Sequence, residues 1–367
     1  HLLERVQING APVDEAEFCR VLGEMVPAIS LMQANAQPLM AEQANAQPPM
    51  AEQASRLGAP SFFEILIALS YLLFAQNGVD VVVMETGLGG RYDATNTVTS
   101  EDKIALFTDI DYDHVEILGN TLSKIAAQKA GIIQRHNRVL TYLQPPDAQE
   151  VIAAESAAQE AQLTIFDPTT ALHIIELRPT EVVFALTLPA EPLLRALHLS
   201  LAGAHQAQNA GLAIAAAQLF LKGIGRNLNE AAVRHALAHI TLPGRMDRRF
   251  WRGSQVIIDG AHNPQKIHAL CSALVARYPD QRFVFVVALK QGKDHNAIFA
   301  QLLPLAAQII LTRFENNDQG MPLQAVDPEE LAAQLPTESG VPIHVVPNVA
   351  DALTLAVNIA QAAGEAI

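Results

Sequence analysis

The residues of this chain that could do chemistry stand where short apolar runs end. The run Val79–Met84 leads into Glu85-Thr86-Gly87-Leu88-Gly89-Gly90-Arg91. A glycine-rich loop after a buried strand is a phosphate or metal location in open α/β sheets. Its spacing does not suit a dinucleotide fingerprint: the third glycine would fall on Tyr92, and Asp93-Ala94-Thr95-Asn96 reads as a turn, not the start of a helix. A dehydrogenase is thereby set aside. Glu85, at the strand's carboxyl end, offers the hard oxygen donors that Mg²⁺ takes. The same placement suits a carboxylate capping a neighbouring helix.

A second run, Ile104–Thr108, ends in Asp109-Ile110-Asp111-Tyr112-Asp113-His114. Three acids and a histidine there make either a metal or phosphate rim or a solvated acidic loop. The helix expected from Asn120 or Thr121 carries Leu122, Ile125, Ile132 and Ile133 on its apolar face, with Lys129 on the same face. A lysine so placed snorkels to solvent or is held as a functional group. A half-buried lysine loses its proton more readily and becomes nucleophilic. It can then take up CO₂ as a carbamate, an anionic oxygen ligand. A third run, Ser254–Ile258, ends in Asp259-Gly260-Ala261-His262-Asn263-Pro264. Pro264 suits the first position of a helix and Asn263 its N-cap. Asp259 is placed for ribose hydroxyls, and His262 for a carboxylate or for its own loop backbone. Arg245, after Pro243-Gly244, offers a guanidinium for bidentate phosphate contact. Asn209, near the start of the small-residue helix after Gly203, is placed to reach a base edge or to serve as an ordinary polar helix start.

These residues need strands that end at one edge and helices that start there. From residue 255 on, β-rich runs at Gln255–Asp259, Arg282–Leu289, Gln308–Thr312 and Pro342–Val346 alternate with helical periodicity at Pro264–Arg277, Asp294–Leu303, Pro328–Leu335 and Val349–Ala362. That alternation predicts a parallel, doubly wound sheet, with Leu242-Pro243-Gly244 as the linker before it. Earlier in the chain, Val79–Glu85 and Ile104–Thr108 read as buried strands. Helices are expected at Asp14–Ile29, Phe62–Gln76, Thr121–Ile133, Pro146–Ala161, His205–Lys222 and Glu230–Ile240, and antiparallel strands within 171–200. Ala34–Gln43 is repeated at Ala44–Gln53 with one difference, Leu39 against Pro49. Two copies cannot make a solenoid, so 34–53 reads as a duplicated surface insertion without chemistry.

Composition narrows the class. The chain has 367 residues, half of them hydrophobic and 17% charged, with a net charge of −14. Length suits two domains. The negative charge argues against nucleic acid and anionic membrane as partners. Cys19 and Cys271 form neither a CxxC pair nor a disulfide framework and suit a reducing cytoplasm. The apolar stretch Ile65–Ala75 is too short for a bilayer.

In order along the chain, GLGGRYDATN (Gly87–Asn96), DYDHVEILGNTLSKIAAQKAGII (Asp111–Ile133), GAHQAQNA (Gly203–Ala210), PGRMDRR (Pro243–Arg249) and DGAHNP (Asp259–Pro264) resemble the folylpolyglutamate synthase/dihydrofolate synthase family of Mur-type ligases. The resemblance implies an α/β fold: an incomplete P-loop-type central ATPase domain over 1–242, then a smaller Rossmann-like doubly wound glutamate ligase domain over 243–367. It implies ATP and Mg²⁺ as cofactors, and folate or dihydropteroate and L-glutamate as substrates. The carboxylate is phosphorylated by ATP and the glutamate amine displaces the phosphate. By resemblance, Glu85 and His114 are Mg²⁺ ligands and Lys129 the carbamylated lysine. Arg245 and Asp259 contact ATP, Asn209 approaches its base, and His262 places glutamate. A monomer in the cytoplasm is expected.

Two departures stand out. The family's glutamate before KAGI is Gln128. No glycine-rich loop ends in Gly-Lys-Ser or Gly-Lys-Thr; the only Gly-Lys pair, Gly292-Lys293, precedes Asp294 and lies in the wrong domain. Since the chain opens at His1, with a segment similar to the continuation of the family's P-loop region, an amino-terminal truncation and an inactive fragment are expected. A non-catalytic folate- or nucleotide-binding remnant and a Mur-type ligase for another acid are the alternatives.

Overall fold

The computed structural model describes residues 2–35, 58–178, 181–189, 193–314, 325–335 and 340–363. Apart from its first residues, the repeat at 34–53 lies outside them. The chain divides into two compact units, the first ending at Thr99 and the second starting at Ser100.

In the first unit, β1 (Gln7–Ile8) and β2 (Ala11–Pro12) form a hairpin. Asn9 and Gly10 turn it with φ of 53° and 80°, the left-handed pair that matches strand twist. The helices α1 (Glu15–Asn35) and α2 (Phe62–Gln76) pack on it through Val6, Phe18, Val21, Leu66, Leu69 and Leu73. Ser61 and Glu64 close a capping box at the start of α2. The buried strand expected at Val79–Glu85 is not there. Among the described residues no strand pairs with this run, and Val83 is 96% exposed. Apolar, β-branched residues favour extended backbone, but a strand also needs neighbours to take its N–H and C=O groups.

The second unit begins with a parallel sheet ordered β3 (Ile104–Phe107), β4 (Arg138–Tyr142), β5 (Gln162–Phe166). Its crossovers carry α3 (Val115–Leu118), α4 (Leu122–Ala130) and α5 (Pro146–Ala158). After the one-turn α6 (Pro168–Ala171), an antiparallel sheet follows as expected: β6 (Leu172–Leu177), β7 (Val182–Leu186), β8 (Leu194–Leu199). The helix α7 (Ala204–Gly223) lays Ala207, Leu212 and Ile214 into a core with Phe184, Leu186 and Leu197, and α8 (Glu230–His239) adds Leu237.

Past the linker, β9 (Asp247–Trp251) and β10 (Ser254–Ile258) form an antiparallel hairpin. Gln255–Asp259 was expected in the parallel sheet; it pairs instead with the charged run before it. Arg252 and Gly253, at φ 49° and 82°, supply the two-residue turn. The parallel sheet is β11 (Phe283–Val287), β12 (Ala306–Leu311), β13 (Ile343–Val345), in that order. It is covered on both faces, and strand alternation decides which residue faces which helix. Val284 and Ile310 meet Ala352, Ala356 and Val357 of α12 (Val349–Ala363). Ile309 and Leu311 meet Ile298, Phe299 and Leu302 of α10 (His295–Leu302) and Leu331 of α11 (Pro328–Gln334). The helix α9 (Pro264–Arg277) starts at the expected N-cap, Asn263, whose side chain accepts from the Lys266 N–H.

Candidate functional site

In the first unit, Asp93 builds the glycine-rich loop. One carboxylate oxygen accepts from the Leu88 N–H at 2.8 Å; the other accepts from Thr95 N–H and Oγ1 at 3.0 and 2.6 Å. Tyr71 of α2 donates to the Thr95 carbonyl at 3.1 Å. A Cβ on Gly87 would lie 2.5 Å from the Phe63 ring, so only glycine fits that turn without displacing the ring. Glu85 is exposed just before it.

In the second unit, the acidic loop after β3 is anchored by buried Gln144. Its amide donates to the Thr108 carbonyl at 2.8 Å and Thr141 Oγ1 at 3.0 Å, and accepts from the Ile110 N–H at 2.9 Å. The loop then presents Asp113 and His114. His114 has φ 52°, left-handed backbone that a non-glycine residue adopts at a cost.

Asp113 is the centre of the site. Lys293 Nζ donates to Oδ1 at 2.6 Å, Asn263 Nδ2 donates to Oδ2 at 3.3 Å, and Lys266 Nζ lies 3.8 Å from Oδ2. Burial alone would raise the Asp113 carboxyl. Burial is the largest single influence, but the Lys293 hydrogen bond and the charges of His114, Lys293 and Lys266 together outweigh it and hold the group at about 2. His262 stands beside Lys266. Its Nδ1 donates to the Gly260 carbonyl at 2.8 Å, which leaves Nε2 to accept from Lys266 Nζ at 3.4 Å. Burial pushes the His262 imidazole down, against the Gly260 bond, so the neutral ring is favoured. Burial also pushes down the Lys129 ammonium, with Asp113 opposing. His114 is pushed down by burial, again with Asp113 opposing. The structure therefore brings Lys129, His114 and His262 into electrostatic reach of one carboxylate.

A second group sits on the linker. Asp259 accepts from the Met246 N–H with Oδ2 and from the Ala261 N–H with Oδ1, each at 2.8 Å. A Cβ on Gly260 would lie 2.7 Å from Arg245 Nη1. Burial lowers the His205 imidazole, Asp259 opposes and Arg245 adds to the lowering, so these three share one neighbourhood. Exposed Asn209 accepts from the Tyr142 hydroxyl at 3.1 Å. Burial, then Asp109, pushes that phenol up.

Among the described residues, no three His, Cys, Asp or Glu side chains gather to hold a metal. Magnesium bound with phosphates needs only one or two protein donors, water and phosphate filling the rest. The neutral His114 ring is compatible with that partial role.

Sequence reasoning did not single out Gln144, Lys266 or Lys293 as site residues. Lys266 lies one helical turn after His262, a spacing that could have found it. Lys293 was set aside because its Gly-Lys pair is no phosphate loop; its partner is a carboxylate 180 residues away in sequence.

Residues 58–217 match the Mur ligase middle domain, and 244–367 match the Mur ligase glutamate ligase domain. The dihydrofolate synthase/folylpolyglutamate synthase of Mycobacterium tuberculosis is 32% identical over 97% of this chain and 70% of its own length. The crystal structure of the Mycobacterium tuberculosis folylpolyglutamate synthase with ADP and AMPPCP superposes with a TM-score of 0.81 at 31% identity, covering 99% of this chain and 76% of that one. A folylpolyglutamate synthase complex with AMPPCP and folate gives 0.70 at 27% identity, covering 98% and 80%. With sequence and fold in agreement over nearly its whole length, the chain belongs to the folylpolyglutamate synthase/dihydrofolate synthase family of Mur-type ligases.

Proposed function

We propose that this protein is an ATP-dependent ligase that adds L-glutamate to the carboxylate of a folate or dihydropteroate. The observation that carries the proposal is the Asp113 cluster. Two lysines and an asparagine converge on a carboxylate, with the neutral His262 ring beside one of those lysines and the half-buried Lys129 within electrostatic reach. Such a set orients anionic substrates and offsets the charge that builds as an acyl phosphate forms and is displaced. ATP and Mg²⁺ are its cofactors. Mg²⁺, which Glu85 and His114 would hold, supplies neutralisation of the phosphoryl oxygens. Arg245 and Asp259 serve ATP, Asn209 faces its base, and His262 places the glutamate. Lys129, its ammonium already disfavoured, is the residue we assign to carbamate formation. Arg245 and Asp259 are joined through the linker backbone, so nucleotide contact and linker conformation are coupled.

Within this reading, 1–242 is the ATPase domain, with the repeat at 34–53 as an insertion, and 243–367 the glutamate ligase domain. No described helix is long and apolar enough to cross a membrane. We assign the protein to the cytoplasm as a monomer; its two cysteines are free thiols, in keeping with a reducing compartment. The 367 residues contain no Gly-Lys-Ser or Gly-Lys-Thr loop, so this chain alone is expected not to turn over ATP.

The test is ADP release with tetrahydrofolate or dihydropteroate as acceptor, on this chain and on the chain preceded by the P-loop segment of a related folate ligase. Glutamate-dependent release by the extended chain alone supports the proposal. A folded extended chain that binds folate without turnover would favour the non-catalytic reading, and turnover only with another acid would change the substrate.

A further inference from the structure

Helix α8 turns one face inward through Val233 and Leu237. His235 and His239 lie two residues to either side of Leu237, roughly 200° round the helix, and both are exposed. Neither takes part in the site described above. At i and i+4 on one helix they stand one above the other, the spacing at which two helical histidines share a metal ion. Their ring centres are 4.2 Å apart and their planes 32° from parallel. His239 Nδ1 donates to the His235 carbonyl at 2.7 Å, which fixes the ring and leaves Nε2 with its lone pair. A hydrogen bond of this kind is how proteins orient a metal-binding imidazole.

The spacing of the rings decides which ions fit. A metal about 2.0–2.1 Å from a ring nitrogen lies roughly 3.2 Å from the ring centre. With the centres 4.2 Å apart, the angle at the metal is about 80°. That is near the ~90° between neighbouring ligands in square or octahedral geometry, and well short of the ~109° of a tetrahedron. Among the described residues no carboxylate or thiol joins the pair as a third ligand, which leaves the other positions to water. The surroundings favour a cation. His239 is the last residue of α8, at the negative end of the helix dipole. The adjacent Arg234 is already engaged: Nε and Nη2 donate to Glu230 at 2.9 and 2.7 Å, and Nη1 and Nη2 to the Ala196 and Arg195 carbonyls of β8 at 2.9 and 2.7 Å. The helix that carries both rings is thus fastened to β8.

We propose that His235 and His239 form a two-imidazole site for a late divalent transition metal ion, Cu²⁺ or Ni²⁺ in preference to Zn²⁺, with solvent completing its shell. The ion clasps the last turn of α8. In that turn the Leu237 carbonyl accepts from the Ser200 N–H at 3.0 Å, and just beyond it the Ile240 carbonyl accepts from Ser200 Oγ at 2.6 Å. Occupancy therefore stiffens the end of the helix that leads into the linker.

The experiment titrates this chain with Cu²⁺, Ni²⁺, Zn²⁺ and Mg²⁺ by calorimetry and melts it with and without each ion. The site is read as the one equivalent that the double variant His235→Asn, His239→Asn loses, so ions held by other histidines drop out of the difference. Affinity should fall in the order Cu²⁺, Ni²⁺, Zn²⁺, with no response to Mg²⁺. Each single variant should weaken binding at least about tenfold. Cu²⁺ and Ni²⁺ should raise Tm in the wild type by more than in the double variant. The paramagnetic resonance spectrum of the wild type with Cu²⁺ should show coupling to two imidazole nitrogens, and it carries the test if a variant does not fold. Equal uptake by wild type and double variant (an adventitious ion only), single variants that bind as tightly as the wild type, Zn²⁺ held more tightly than Ni²⁺, or a spectrum without two-nitrogen coupling overturns the proposal.

Discussion

Replacing Asp113 with asparagine removes one charge and keeps the side chain's shape. In the folded protein the carboxyl sits at about 2 instead of 3.8. At ~1.4 kcal/mol per unit, that favours the ionised folded form by roughly 2 kcal/mol. Asp113 is 26% exposed and Lys293 11%, so solvent screening brings the expected loss to about 1–2 kcal/mol. The sign follows from the depressed value. The stabilisation is complete above the unfolded carboxyl's range and disappears as pH falls from about 4 toward 2. Urea denaturation of wild type, Asp113→Asn, Lys293→Met and the double variant measures it. At neutral pH the Asp113–Lys293 coupling energy should be about 1–2 kcal/mol. The gap between wild type and Asp113→Asn should hold between about pH 7 and 5 and close on acidification. A coupling below about 0.5 kcal/mol, or a gap that persists at the lowest pH where both fold, would refute the reasoning.

Gln144→Leu leaves the Ile110 N–H and the Thr108 carbonyl without their partner in a buried place and should destabilise by about 2–4 kcal/mol in urea denaturation. Gly119 has φ 107°, and a Cβ there would lie 2.7 Å from that of Lys124; Gly119→Ala should lower stability by about 1–3 kcal/mol, read as a drop in Tm. Bicarbonate should add the mass of one CO₂ to the native protein, seen by native mass spectrometry, and Lys129→Met should abolish that addition.

What could be read from the sequence was local. The bounds of α9 came from Asn263 and Pro264, whose capping chemistry acts within four residues. The site positions Asp259 and His262 came from the end of an apolar run, and the structure does put them in a loop before a helix. What could not be read was pairing. Val79–Glu85 has strand composition but no strand beside it among the described residues. The charged run Asp247–Trp251 gives no apolar signal, so the partner of β10 was missed. Asp113 looked like one acid among three; its partners lie 150 and 180 residues further on. Composition reports what a segment can do, whereas the role of Asp113 is set by residues that only the fold brings near.

The stitching around Asp259 has a mechanical consequence. Gly260 donates to the Gly244 carbonyl at 2.9 Å and Met246 to Asp259 at 2.8 Å, so everything from Gly244 onward turns as one piece with α9. On the other side, Ser200 Oγ donates to the Ile240 carbonyl at 2.6 Å and fixes the end of α8. Thr241, Leu242 and Pro243 fall between the two fastened ends, and the proline ring locks its own φ. The torsions left unfastened between these two stitched ends are therefore confined to three residues, and the Asp113–Lys293 pair ties the loop after β3 to the segment beyond them at a second point.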